Sequence, residues 1–291
     1  TGHHHENRRK NDPNHGNLIV LLSTGMWGIS GVCGQYLFEH TQIDSTWLIA
    51  VRQILAGLMY MMVKSKGGKE PLFAIFSRSA ANPLENAFFT LGLLGSQYGF
   101  YYAIKLSNAP TATVLIYTAP VFVVLQQVLM QHRPVEKRKP WESLRLLWVS
   151  FLFPPMATRL ACHFAGCSFW SILSAIAMTL YTVAPAHILK EYSSPYLMGG
   201  GSSFQDSSFF LYAIPFIPGG KLDVFSIGAM GYIIVFGTVV PFLMYFNGLK
   251  VIGPVKASLI SCSEPLCSVL FSVAFLGTFL ALPDYLGVCV L

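Results

Sequence analysis

The chain is a succession of apolar blocks, each long enough as a helix to cross a lipid bilayer, joined by short polar links. A hydrocarbon core of about 30 Å needs about 20 apolar residues in helical form. Blocks of that kind run over 17–38, 44–63, 83–105, 108–131, 141–162, 168–190, 194–217, 225–247 and 252–276. Another begins at Pro283 and stops at Leu291, and is expected to be a truncated last span. A bilayer offers no hydrogen bonds to exposed backbone, so only helices and closed barrels can span it. A barrel would show roughly ten-residue segments of alternating hydrophobicity, which these blocks are not. The expected fold is all-α and integral to the membrane, with about ten transmembrane helices.

Charge supports this. Only 11% of residues are charged, against about 25% in soluble domains, which leaves too few to cover a water-facing surface. The net charge of +6 does not point to nucleic acid, because the positive residues sit in the links between blocks. With the N-terminus placed in the cytoplasm, fifteen Lys and Arg fall on the cytoplasmic side. Three (Lys105, Arg159 and Lys221) fall outside, and Arg52 lies within a span. That asymmetry is the positive-inside pattern, and one missed helix would scramble it. Residues 1–16, with His3, His4 and His5, are expected to be a polar tail or tag remnant outside the fold. The six cysteines lie in or beside apolar blocks and are expected to be free thiols; no metal and no cofactor is expected. Two blocks are poor spans. The fifth holds Arg145, Pro154, Pro155 and Arg159, and the seventh opens on Gly199–Ser203 and contains Asp206.

Sliding the sequence by 145 residues aligns 83–128 with 228–273 without a gap. Gly92/Gly237, Lys105/Lys250, Ala112/Ala257 and Pro120/Pro265 coincide, with three further matches among Val and Leu. The third block then corresponds to the eighth, five spans later. An odd separation makes the halves enter the membrane from opposite sides, and inverted repeats of that kind place a solute site between them. The expected halves are 17–140 and 141–291.

Trp27-Gly28, the segment RQILAGLMY from Arg52, YAIKLSNAPTATVLIYTAPVF (102–122), MTLYTV (178–183) and GLKVIGPVKASLISCSEPLCSVL (248–270) resemble the drug/metabolite transporter superfamily. The ten-helix branch with paired EamA domains is the best match. That resemblance implies a secondary transporter of small organic metabolites, amino acids or related compounds, working in export from the bacterial cytoplasmic (inner) membrane. Its partners would be the solute, protons in exchange, and the lipid around it.

Arg52 is the basic residue inside a span, at a cost of roughly 2.5–3.5 kcal/mol at a helix centre on insertion scales. Its guanidinium fork suits a carboxylate or phosphate, though a structural pair or snorkelling explains it as well. Glu264, before Pro265, could bind a proton or a cationic group, or neutralise Arg52. Trp27, Gln97, Tyr101, Tyr245 and Asn247 complete the candidate substrate-binding set; Gln97 and Tyr101 are four apart and share a helix face. Gly25, Gly28, Gly31 and Gly34, and Gly92, Gly95 and Gly99, suit close helix approach. Alternatives from other classes are a passive channel, a non-transporting membrane protein, and an intramembrane serine protease built on Gly28-Ile29-Ser30-Gly31 with His187. Single cysteines at positions 78 and 139 are expected to react with an impermeant thiol reagent from the same, cytoplasmic side. Labelling from opposite sides would refute the topology.

Overall fold

A computed structural model describes residues 13–67, 83–131, 161–186, 197–198 and 223–277. No strand occurs among them. The helices are α1 Pro13–His40, α2 Ser45–Gly67, α3 Pro83–Leu106, α4 Ala109–Ile116, α5 Ala119–Gln131, α6 Ala161–Val183, α7 Val224–Ile234, α8 Val240–Ile252, α9 Pro254–Ser261 and α10 Glu264–Leu276. Four stretches of the described residues are long and apolar enough to cross a membrane: Pro13–His40, Gly166–Val183, Val224–Ile252 and Pro254–Leu276. Most of the fifth block, the seventh except 197–198, and the tenth lie outside the described residues.

Prolines explain where the helices depart from single rods. α4 and α5 are one block interrupted by a turn at Tyr117-Thr118, ahead of Pro120. α9 and α10 are another, interrupted at Cys262-Ser263 ahead of Pro265. A proline inside a helix lacks its N–H and its ring collides with the carbonyl four residues back. Both pairs of helices coincide at the 145-residue offset, so the local structure repeats where the sequence does. In the eighth block Pro241 is accommodated differently: Val235–Val239 winds as a π-helix joining α7 to α8. The sixth block differs from expectation at both ends. Its helix starts at Ala161 rather than near 168, and its α-helical part ends at Val183, giving way to a 3₁₀ turn Ala184–Ala186 around Pro185. His163 reads as a polar gap between blocks but lies within the helix.

Packing depends on small residues. A Cβ on Gly92 would lie 2.7 Å from the Tyr181 nitrogen and 2.8 Å from the Ala177 oxygen, so α3 and α6 touch backbone to backbone. On α1, a Cβ at Gly28 would lie 2.9 Å from the Glu264 backbone oxygen. Side chains distribute as lipid demands: Phe169, Ile172, Ile176 and Leu180 on one face of α6 are exposed, while Ser171, Ser174, Thr179 and Thr182 are buried. Apolar lipid gains nothing from hiding leucine, but hydroxyls need protein partners. Ser174 Oγ, for example, donates to the Ser96 carbonyl at 2.7 Å.

The helix ends fix relative directions. Lys105, closing α3, pairs with Asp44, just past the C-terminal end of α1. Val251 and Ile252, closing α8, lie instead against Gly16 near the start of α1, so residues 13–16, expected in the tail, belong to the first helix and its packing. Asp44 is pushed up by partial burial but pulled down further by hydrogen bonds from Lys105 and Thr46, and its carboxyl sits below the usual carboxylate range. Because α3 and α6 share a backbone contact, Gly92→Ala should lower the melting temperature in detergent, with overpacking costing about 1–3 kcal/mol. Gly231→Ala, where a Cβ meets nothing within 4 Å, should leave it unchanged or raised; equal effects would refute this account of the seam.

Candidate functional site: a buried cation and carboxylate around one cavity

Five of the seven candidate residues meet. Trp27 of α1, Arg52 of α2, Gln97 and Tyr101 of α3 and Glu264 of α10 line a single small cavity, with Tyr117 at the α4–α5 break closing one side. The cavity offers about 30 Å³ to the centre of a water-sized sphere, room for about two waters.

Arg52 is 1% exposed. Its Nη2 donates to Gln97 Oε1, and its guanidinium lies over the Tyr101 ring, 4.8 Å from the centroid. A desolvated cation–π contact of this kind contributes about 2 kcal/mol. The Tyr101 hydroxyl is held in turn by Ser30 Oγ at 2.8 Å. Glu264 is 6% exposed, and its carboxylate accepts a hydrogen bond from the Tyr117 hydroxyl. Arg52 and Glu264 share the cavity without forming an ion pair, and neither has a partner of opposite charge among the described residues. Two further donors are unsatisfied there: Arg52 Nε and Trp27 Nε1 are buried with no hydrogen-bond partner. A buried donor without an acceptor costs about 1–3 kcal/mol.

Local sequence explains these placements. Arg52 sits about two turns into α2 and meets Gln97, which lies about two turns before the end of α3, because Asp44 and Lys105 pin the adjacent ends of α2 and α3. Glu264 is the first residue after the turn at Cys262-Ser263, and the Ser263 and Thr24 hydroxyls bond at 3.0 Å beside it.

The other two candidates lie elsewhere. Tyr245 stands behind Trp27, with ring centroids 5.2 Å apart and its hydroxyl 3.2 Å from Thr182 Oγ1. Asn247 is on the exposed face of α8. Residues two apart on a helix face nearly opposite ways, so the pair could not share one cavity. Ser30, singled out in the protease alternative, bonds Tyr101, while His187 lies outside the described residues.

Sequence reasoning missed Gly237, Tyr181 and Tyr60. Gly237 lies in the cavity wall within the π-helix, where a Cβ would come 2.2 Å from Ser30 Oγ. Its alignment with Gly92 was the available signal. Tyr181 lines the cavity from α6, within the MTLYTV segment. The Tyr60 hydroxyl donates to the Thr238 carbonyl within the π segment at 2.9 Å; nothing in sequence announces that contact.

The profile of the EamA-like transporter family matches residues 14–141 and 166–291. The chain belongs to the EamA-like transporter family. An uncharacterized inner membrane transporter of Salmonella typhimurium, YicL, is 33% identical over 277 residues, spanning 94% of this chain and 91% of that protein. An uncharacterized transporter of Archaeoglobus fulgidus is 25% identical over 189 residues, 64% of this chain and 65% of that one. A crystal structure of a protein at 14% identity superposes with a TM-score of 0.70 over 95% of this chain and 93% of its own, and shows the same fold. This EamA-like chain is therefore a membrane transporter, whose family implies a small-molecule solute and a lipid surround.

Gly237→Ala should disturb the site through Ser30. Displacing Ser30 Oγ breaks its bond to Tyr101, and one lost buried hydrogen bond is worth about 1 kcal/mol, roughly five- to tenfold in affinity or rate. Transport by reconstituted protein should fall by that factor at unchanged membrane yield; an unaltered rate would show that Ser30 does not support the Arg52–Tyr101 contact.

Proposed function

We propose that this protein is a secondary transporter of small zwitterionic metabolites, amino acids or related compounds, and that it works as an exporter in the cytoplasmic (inner) membrane with its N-terminus inside. The reading is carried by Arg52 and Glu264, opposite charges buried beside one cavity and left unpaired with each other. Holding two such ions apart in a membrane interior is expensive, because each loses hydration without the other's attraction in return. A solute with a carboxylate and an ammonium satisfies both. The carboxylate would take Arg52 Nε and Trp27 Nε1, the unpartnered donors, and the ammonium would take Glu264. The aromatic walls of Trp27, Phe100, Tyr101 and Tyr181 suit an apolar side chain.

The architecture proposed for this work is ten spans in two inverted halves. The repeated helix breaks support it, as do the opposite directions in which α3 and the matching α7–α8 segment run past α1. Rocking of the halves about a midplane site then alternates access. Exchange for protons is proposed as the drive, with Glu264 as the group that alternates between proton and ammonium. The Salmonella relative's name supports the membrane assignment, and the cationic cytoplasmic links support the orientation.

In proteoliposomes, the wild-type protein should exchange labelled for unlabelled amino acid, a counterflow that a passive channel does not show. Arg52→Gln and Glu264→Gln should each cut that exchange tenfold or more while inserting normally. Parental rates in both variants would overturn the assignment, and leakage without exchange would favour a channel.

A further inference from the structure

The cavity has room for about two waters, and an organic zwitterion is several times larger. Something in the wall must therefore give way before a solute enters. The helices that carry the wall are held together at Gly28, Gly92 and Gly99 by close backbone contacts, which leave little room to move. The contact between Tyr117 and Glu264 is of another kind. Tyr117 lies in the turn that interrupts α4 and α5, Glu264 immediately follows the turn that interrupts α9 and α10, and the two come from opposite halves of the repeat. Their hydrogen bond joins the two places where the helix ladders are already open. Both side chains are buried, and the bond is the one hydrogen bond to the Glu264 carboxylate among the described residues.

We propose that the Tyr117 hydroxyl occupies the place on Glu264 that the solute's ammonium takes over, so that the Tyr117–Glu264 bond holds the cavity closed until the solute replaces it. The inference rests on the zwitterion site described above. Tyr117 donates to the carboxylate as a neutral hydroxyl, whereas an ammonium adds the attraction of opposite charges to the hydrogen bond, an attraction strengthened by the low dielectric of the interior. The exchange runs toward the solute, and it frees the α4–α5 turn from the α9–α10 turn at the moment of loading. A carboxylate lacking an amine satisfies Arg52 and Trp27 but cannot displace Tyr117. Tyr117 thus sets the cost of opening, which a solute amine repays at Glu264 and a solute lacking one does not. Cys262, in the second turn and buried, becomes accessible when the two turns separate.

The test compares wild-type and Tyr117→Phe protein in lipid nanodiscs by calorimetry with phenylalanine, 2-phenylethylamine and 3-phenylpropanoate. Removing the closing bond should tighten all three compounds about tenfold, because each needs the cavity open, with 3-phenylpropanoate remaining the weaker ligand beside phenylalanine in both proteins. Unchanged or weaker binding of the three in Tyr117→Phe would overturn the proposal. Solute-free labelling gives the second arm. N-ethylmaleimide should modify Cys262 several-fold faster in Tyr117→Phe than in wild type, with Cys167, buried beside Ser107 between α3 and α6, as the unchanged reference. An unaltered ratio means that the bond does not hold the turns together. If the wild type binds none of the three compounds while Cys262 labelling accelerates, the closing contact stands and the zwitterion assignment fails.

Discussion

Every interruption of a helix inside a bilayer leaves backbone groups that lipid cannot satisfy, and the structure of this chain follows from where those interruptions fall. Prolines 120, 241 and 265 open the ladder in three places, and in each the surroundings supply partners. Tyr60 donates to the Thr238 and Val239 carbonyls of the π segment. Thr179 Oγ1 reaches the Ala119 carbonyl at 3.4 Å beside the first break, and Ser263 Oγ donates to the Ile260 carbonyl at 2.9 Å at the second. The openings are thereby confined to the protein interior, and the cavity forms beside them.

Charge obeys the same constraint. Arg52 and Glu264 would cost least as an ion pair, and the fold does not pair them. It surrounds the guanidinium with Gln97 and the Tyr101 face, and the carboxylate with Tyr117. Neutral groups hold each side chain, so both remain at the cavity that they line. The glycines on α1 and α3 permit this, since they bring the helices carrying Trp27, Gln97 and Tyr101 close to their neighbours.

Much of this was legible in the sequence, for identifiable reasons. Spans show as apolar length, and the repeat shows because Pro120 and Pro265 mark the same event in two halves. Arg52 and Glu264 stand out because charge is rare within apolar blocks. The partnership of Arg52 with Gln97, 45 residues away, is a matter of helix packing that no local pattern encodes. Asn247 was drawn in by polarity, although its position two residues from buried Tyr245 puts it on the opposite face. The end of α6 at Val183 was missed because hydropathy runs on through Pro185, while the backbone does not.

The looser winding at Val235–Val239 has a consequence for energetics. The gapless 145-residue correspondence assigns this stretch to positions 90–94 of α3, which are regular helix. Equal numbers of residues are therefore coiled differently in the two halves. Were the halves interchangeable, a carrier of the kind proposed above would populate its two orientations equally at rest. Under that reading the swap of shapes is not neutral, and the resting ensemble leans toward one side of the bilayer before any gradient acts.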